Sequence, residues 1–80
     1  MPFEQQLNED IAEIINEIAA ARINWPAFNS AHEGFAVLKE EVDELWDEVK
    51  KNQRNYDLEN QRKEAIQCAA MCIRFATELT

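Results

Sequence analysis

Residues 64–76 read EAIQCAAMCIRFA, and this stretch decides the fold. Placed on a helix, its apolar residues occur on nearly every side, and only Gln67 and Arg74 interrupt them within the run. A helix that is apolar all round is buried all round. The sequence therefore predicts a helix from about Glu59 to Leu79 that lies at the centre of a helical bundle.

Two more helices are predicted before it. The first runs from about Phe3 to Ile23 and the second from Ser30 to near Lys51, because apolar residues recur in both at steps of three and four. The predicted core stripes are Leu7, Ile11, Ile14, Ile15, Ile18 and Ala21 in the first, and Phe35, Leu38, Val42, Leu45 and Val49 in the second. The connecting segments are NWPAFNS, residues 24–30, and NQRNYDLEN, residues 52–60. Pro26 disfavours helix at Trp25.

The start of the second helix has its own signal. Ser30 and Glu33 have the S-x-x-E spacing of a capping box ahead of an apolar run. This gives Glu33 a structural role at the helix start.

Length and pattern together bound the architecture. Eighty residues make one domain, spanning 1–80, and a chain of this size buries apolar surface only marginally. No segment has the pattern of a strand. We expect an all-α protein, a short bundle of about three helices per chain, completed by oligomerisation into a dimer or tetramer.

Charge and cysteine content exclude several classes of function. The formal net charge of -8 disfavours nucleic acid as a partner. No apolar run approaches the ~20 residues of a membrane span, so we expect no membrane partner and a cytoplasmic protein. Cys68 and Cys72 are four apart on a predicted helix, badly placed for a disulfide, and we expect buried, reduced thiols.

The second helix carries a dense set of carboxylates. Glu41, Glu44 and Glu48 lie at steps of three and four, each one residue before a core position, so their line borders the apolar stripe and can face a cleft between helices. Like charges in such a line repel each other. A solvated acidic face is one interpretation, and a site for a divalent cation that prefers oxygen ligands is the other.

The third helix contains a polar pair at its start. Glu64 and Gln67 are three apart and precede an otherwise apolar run. A buried amide needs hydrogen-bond partners. Gln67 therefore either bonds another side chain or a backbone group, or joins Glu64 in facing Glu41 and Glu44 to complete a metal site.

These motifs resemble those of the MazG-like all-α nucleoside triphosphate pyrophosphohydrolases, whose hallmark is E-E-x-x-E on one helix and E-x-x-D on the next. The first is EEVDE here, with Glu40, Glu41 and Glu44, and the second is EAIQ, starting at Glu64. Nineteen residues, 45–63, separate them. The resemblance covers about residues 24–76 and extends to small MazG-like proteins of phage and mobile-element type, with Gln67 where the motif has Asp.

The resemblance implies a hydrolase that converts a (d)NTP to the monophosphate and pyrophosphate, in the manner of nucleotide-pool cleaning enzymes. It implies Mg2+ as the cofactor, with Mn2+ as a substitute, and it makes Glu41, Glu44, Glu64 and Gln67 the metal ligands. Glu40 would be a further ligand or would position water, so Glu40 and Glu41 are the expected catalytic residues.

Several residues have two interpretations as substrate contacts. Arg74 either contacts a phosphate or forms an ion pair with a glutamate. Trp25 and Phe28 either stack on a base or plug the end of the bundle, and His32 is either a base contact or structural. Two other functions stay open: a non-catalytic relative that binds nucleotide or metal, and a helical interaction module whose acids only solubilise it.

Overall fold

The computed structural model describes residues 2–51 and 57–79, and they form three α-helices. Helix α1 spans Phe3–Asn24, α2 spans Ala31–Val49 and α3 spans Leu58–Leu79. No strand occurs in these two described ranges. The all-α class is confirmed, and each predicted helix is present with ends within two residues of those expected.

The start of α3 differs from the prediction for a local reason. Asp57 caps this helix, since its Oδ1 accepts from the backbone N–H of Asn60 at 3.1 Å and its carbonyl accepts from Gln61 at 3.0 Å. An aspartate in this position satisfies amides that the first turn leaves without a partner. The predicted linker is therefore wrong in residues 58–60, which are helical. Its residues 52–56 lie outside the described part of the chain.

The start of α2 confirms the predicted cap. Ser30 Oγ accepts from the backbone N–H of Glu33 at 3.1 Å. The carboxylate of Glu33 reaches one residue further back than a capping box requires and accepts from the backbone and side-chain amides of Asn29, both at 3.2 Å. Glu33 therefore fixes the turn that leads into α2.

Helix α3 is central to the chain. It packs against both α1 and α2, whereas the described residues of α1 and α2 do not pack on each other. The core forms around Phe28, Ala70 and Met71. Partly buried side chains from all three helices pack against it: Ile14, Ile18, Ala21, Val37, Leu38, Phe75 and Leu79.

Gly34 sets the distance between α2 and α3. A Cβ atom at this buried position would lie 2.8 Å from Cδ2 of Phe75 and 2.9 Å from Cδ1 of Leu79, closer than real Cβ contacts. The absence of a side chain therefore lets the aromatic ring of α3 pack directly against the backbone of α2. No periodic pattern in the sequence marks Gly34 as a packing position.

The predicted core stripes are only partly buried. Leu7, Ile11 and Ile15 of α1 are exposed, and so are Phe35, Val42 and Val49 of α2. On α3 the side of Cys72 and Ile73 is also exposed, so the expectation that this helix is buried on all sides is wrong for a single chain. Two flanking helices cover only part of the circumference of a third.

A buried ion pair closes one end of the bundle. Nε of Arg74 donates to Oε2 of Glu78 at 2.7 Å, and both side chains are only 4% exposed. Arg74 also donates to the carbonyl of Pro26 at 3.2 Å and stacks over the ring of Phe28 at 4.3 Å. Glu78 accepts from the backbone N–H of Phe28 at 2.8 Å. The segment before α2 is thus fastened to the end of α3.

This end of the bundle separates the two aromatic residues that the sequence placed there. Phe28 is buried in the bundle, in agreement with the second of its two interpretations, whereas Trp25 is 68% exposed. Both cysteines are free thiols, and Cys72 is exposed rather than buried. Within the described ranges, no helix has the length and apolar character needed to cross a bilayer.

Candidate metal centre

Three carboxylates converge between α2 and α3. Glu41, Glu44 and Glu64 each offer one oxygen, and these three oxygens all lie within 4.8 Å of one another. Glu41 and Glu44 are three residues apart on α2, which puts them on one side of that helix, and Glu64 meets them from the first half of α3. We call this set the acidic triad. The structure thus brings together three of the four predicted metal ligands.

Partial burial and mutual repulsion raise the pKa values of two carboxyl groups in the acidic triad. The pKa of Glu41 is raised to about 7, and burial is the largest cause. The charge of Glu44, a hydrogen bond with Glu44 and the charges of Glu64 and Glu40 contribute to this rise in the same direction. Burial, and then the charge of Glu44, also raises the pKa of Glu64. Glu41 and Glu64 are therefore harder to ionise than free carboxyl groups, and a bound cation would favour their ionised forms and lower both pKa values.

One oxygen of the acidic triad lacks a partner. Oε2 of Glu64 is buried and has no hydrogen bond to any described residue. Buried polar atoms without partners are uncommon and costly. A hard divalent cation bound by carboxylate oxygens would satisfy this atom, so the residues present fit such an ion.

Glu48 does not join the acidic triad, although it continues the line of Glu41 and Glu44. Its carboxylate accepts from Nζ of Lys51 at 2.9 Å and from the side-chain amide of Asn60 at 3.4 Å. Glu48 therefore ties the end of α2 to the start of α3. Its side chain is only 14% exposed and is occupied by these contacts.

Of the two alternatives for Gln67, the structure shows the hydrogen bond to another side chain. Its Nε2 donates to Oε2 of Glu17 on α1 at 2.8 Å. Sequence reasoning missed Glu17, but a signal for it exists. Glu17 immediately precedes Ile18 of the apolar stripe, the same relation to the core that identified Glu41. Gln67 thus faces α1, whereas the acidic triad lies toward α2.

A cavity of about 570 Å³ opens beside the acidic triad. Its walls come from α1, from α2 and from the segment between them, and its floor comes from α3. The lining residues are Glu17, Ala20, Ala21, Asn24, Trp25, Pro26, Phe28, Glu33, Val37, Glu40, Glu41, Gln67, Met71 and Arg74. This volume is in the usual range for a small-molecule site, and Glu41 belongs to both the cavity and the acidic triad.

The remaining predicted site residues are placed differently from one another. Glu40 and Trp25 line the cavity and are exposed. Arg74 lines it as well, but its guanidinium is held by Glu78 and Pro26. His32 is exposed in the first turn of α2 and is not among the lining residues.

The acidic triad makes stability depend on pH in a direction opposite to that of ordinary salt-bridged acids. A carboxyl whose pKa rises from 4.5 to about 7 on folding stabilises the fold fully below pH 4.5 and loses that contribution as pH rises through 7. We expect urea unfolding without metal to give a free energy of unfolding on the order of 1–2 kcal/mol lower at pH 8 than at pH 5, after allowing for solvent screening.

Two comparisons isolate the cause of this pH dependence. Glu41→Gln removes the titrating group, so its unfolding free energy should change less between pH 5 and pH 8. Excess Mg2+ should raise the stability of the wild type mainly at pH 8, where the acidic triad is ionised. An unfolding free energy of the wild type that rises from pH 5 to pH 8 without metal would contradict this account.

Comparison with known proteins found no family model, curated protein or solved structure that matches this chain.

Proposed function

We propose that this protein is a Mg2+-dependent nucleoside triphosphate pyrophosphohydrolase of MazG-like type, which converts a (d)NTP to the (d)NMP and pyrophosphate. One observation carries the proposal. The acidic triad, with its unpartnered buried oxygen on Glu64, lies at the edge of a cavity large enough for a small molecule, and Glu41 belongs to both. A cation held there would be next to whatever occupies the cavity.

The metal ligands in this proposal are Glu41, Glu44 and Glu64. Bound Mg2+, or Mn2+ in its place, would neutralise charge on the phosphates and lower the pKa of a coordinated water. The positions of the acids on two packed helices place one oxygen of each within 4.8 Å of the others. This closeness supports a single cation shared by the three carboxylates.

Glu40 is the proposed base. It adjoins Glu41 in the sequence, lines the cavity and is exposed, so its carboxylate has access to solvent in the cavity. A carboxylate in this position can orient a water molecule and take its proton as the water attacks phosphorus and the anhydride bond between the α- and β-phosphates breaks, which releases pyrophosphate. Glu40 would therefore act on the water, while Glu41 would hold the cation.

The cavity is the proposed nucleoside site. Trp25 lines it with an indole that is largely exposed, and an aromatic face is a suitable platform for a base. Arg74 contributes to the floor, but its buried ion pair supports a structural role rather than contact with phosphate. His32 lies outside this arrangement.

We also propose that two or more copies of the chain assemble through the exposed apolar residues. Phe35, Val42 and Val49 recur at steps of seven on α2, the spacing of a helix–helix seam, and Trp46 lies beside them with 57% of its surface exposed. Cys72 and Ile73 of α3 are exposed as well. A second copy would cover these residues.

Sedimentation equilibrium tests this assembly. We expect the wild type to sediment as a dimer or tetramer, and Val42→Glu to shift it toward the mass of one chain, because the substitution places a charge in the apolar seam. Ala36→Glu puts the same charge at an exposed position outside the spacing of seven and should leave the mass unchanged. A wild type that sediments as one chain at tens of micromolar would contradict the proposal.

Gln67 favours a second candidate function, the binding of nucleotide or metal without turnover. The motif it resembles has a carboxylate at this position, whereas here a neutral amide is bonded to Glu17. The acidic triad then supplies three carboxylates rather than four. Saturable, Mg2+-dependent nucleotide binding with no monophosphate formed would support this second candidate.

The deciding experiment is chromatography of products. Purified protein is incubated with Mg2+ and each of a panel of canonical and modified (d)NTPs, and monophosphate and pyrophosphate are quantified. Equimolar release of both products establishes the reaction class. If neither product forms with any nucleotide in Mg2+ or Mn2+, the pyrophosphohydrolase is excluded.

A further inference from the structure

The polar groups that line the cavity are of two unequal kinds. The side-chain hydrogen-bond donors of the lining come from four residues, and three of these already donate within the protein. The amide of Asn24 donates to the carbonyl of Ala20 at 2.9 Å, and the amide of Gln67 donates to Glu17 at 2.8 Å. The guanidinium of Arg74 donates to Glu78 and Pro26. The indole N–H of Trp25 is the remaining donor type in the lining.

The acceptors are more numerous and less fully used. Four carboxylates line the cavity, from Glu17, Glu33, Glu40 and Glu41. Glu33 is committed to Asn29 at the start of α2, and Glu41 belongs to the acidic triad. Glu17 and Glu40 remain, and a carboxylate can accept about four hydrogen bonds. The structure gives Glu17 one, from Gln67, among the described residues.

Glu17 is the better placed of the two to recognise a ligand. Its side chain is half-buried on α1, and the amide of Gln67 fixes one of its oxygens from the cavity floor. Glu40 is exposed on α2, next to the acidic triad. Trp25 directly follows the end of α1, eight residues after Glu17, and both residues line the same cavity. An acceptor that Gln67 orients and an aromatic face thus line one cavity together.

We propose that Glu17 selects bases that carry an exocyclic amine, which are adenine, cytosine and guanine, over uracil and thymine. This inference rests on the proposed function, since it assigns the substrate class of the same site. An exocyclic amine donates hydrogen bonds, whereas uracil and thymine present a carbonyl oxygen at the corresponding edge. A carbonyl oxygen facing the carboxylate of Glu17 would leave two acceptors in contact with no proton between them.

dCTP and dUTP test this choice directly. Cytosine has an amine on C4 and an unprotonated N3, whereas uracil has a carbonyl on C4 and a proton on N3. We expect kcat/KM of the wild type to favour dCTP by at least about tenfold. In Glu17→Gln the new amide keeps an oxygen for Gln67 and offers an N–H to the carbonyl of uracil. We expect the preference to fall to about threefold or less.

Glu9→Gln is the matched control. It makes the same chemical change on an exposed residue of α1 that does not line the cavity, and the wild-type preference should persist in it. Circular dichroism of both variants checks that the helices are intact.

Binding of the monophosphates separates this inference from the proposed reaction. Calorimetry with dCMP and dUMP reports the base preference without any hydrolysis. If turnover occurs with equal kcat/KM for dCTP and dUTP, the selection by Glu17 is overturned and the reaction stands. If no turnover occurs but dCMP binds more tightly, in a manner that Glu17→Gln removes, the selection stands and the reaction is overturned. If the protein shows neither turnover nor selective binding, both the selection by Glu17 and the reaction are overturned.

Discussion

Glu41→Gln should lower the Mg2+-dependent release of pyrophosphate on the order of a thousandfold while leaving the protein folded. Glu41 is the one residue that belongs both to the acidic triad and to the cavity wall. An amide keeps the shape of the side chain but removes the negative charge that, in the proposed mechanism, binds the cation. The measurement is the initial rate of monophosphate formation at saturating Mg2+, for the substrate that the wild type hydrolyses fastest.

Stability distinguishes this loss from unfolding. Because Glu41 is crowded by Glu44 and Glu64, removing its charge should leave the free energy of unfolding at pH 8 without metal unchanged or higher. Asp43→Asn takes one carboxylate from the exposed side of the same helix and should keep the wild-type rate. If Glu41→Gln retained that rate as well, the acidic triad would not be the centre of the reaction.

The second large effect is structural. Arg74→Met should reduce the free energy of unfolding by about 3–5 kcal/mol, the usual cost of removing one partner of a buried ion pair. Glu78 would be left 4% exposed and without its guanidinium, and the contact with the carbonyl of Pro26 would be lost. Urea unfolding followed by circular dichroism measures the change. In an 80-residue domain this is a large part of the total stability.

Two further variants identify the unpaired charge as the cause. Arg62→Met removes an ion pair with Asp10 and Glu13 whose arginine is 34% exposed, and it should lower the free energy of unfolding far less than Arg74→Met, because solvent screens these charges. The double variant Arg74→Met with Glu78→Gln should recover part of the loss, because no buried charge remains. A single variant Arg74→Met as stable as Arg62→Met would show that the pair contributes little.

Local patterns in the sequence predicted the helices and the acidic triad. Glu41 and Glu44 share a side of α2 because they are three residues apart, and their position just before Val42 and Leu45 places them at the border of the core. Helix geometry alone contains this information. The same rule applied to α1 indicates Glu17 beside Ile18, although the partner of that carboxylate depends on how the helices pack.

Other features depend on packing that periodicity does not encode. Phe35 and Val42 belong to an apolar stripe, yet they are exposed here, because a pattern shows that a face is apolar and not which chain covers it. Gln67 was compatible with two partners, and only the position of α1 determines that Glu17 is the one it bonds. Gly34 depends on a close approach between two helices far apart in the sequence.

Because α1 and α2 are separate, the acidic triad and part of the cavity lining come from different helices. All three members of the acidic triad come from α2 and α3, whereas Glu17 and Asn24, which also line the cavity, come from α1. Among the described residues α1 packs on α3 and not on α2, so a substitution on α1 changes the cavity lining without changing any residue of the acidic triad. In the proposed enzyme, the choice of ligand could therefore change through substitutions on α1 alone, with the metal ligands unchanged.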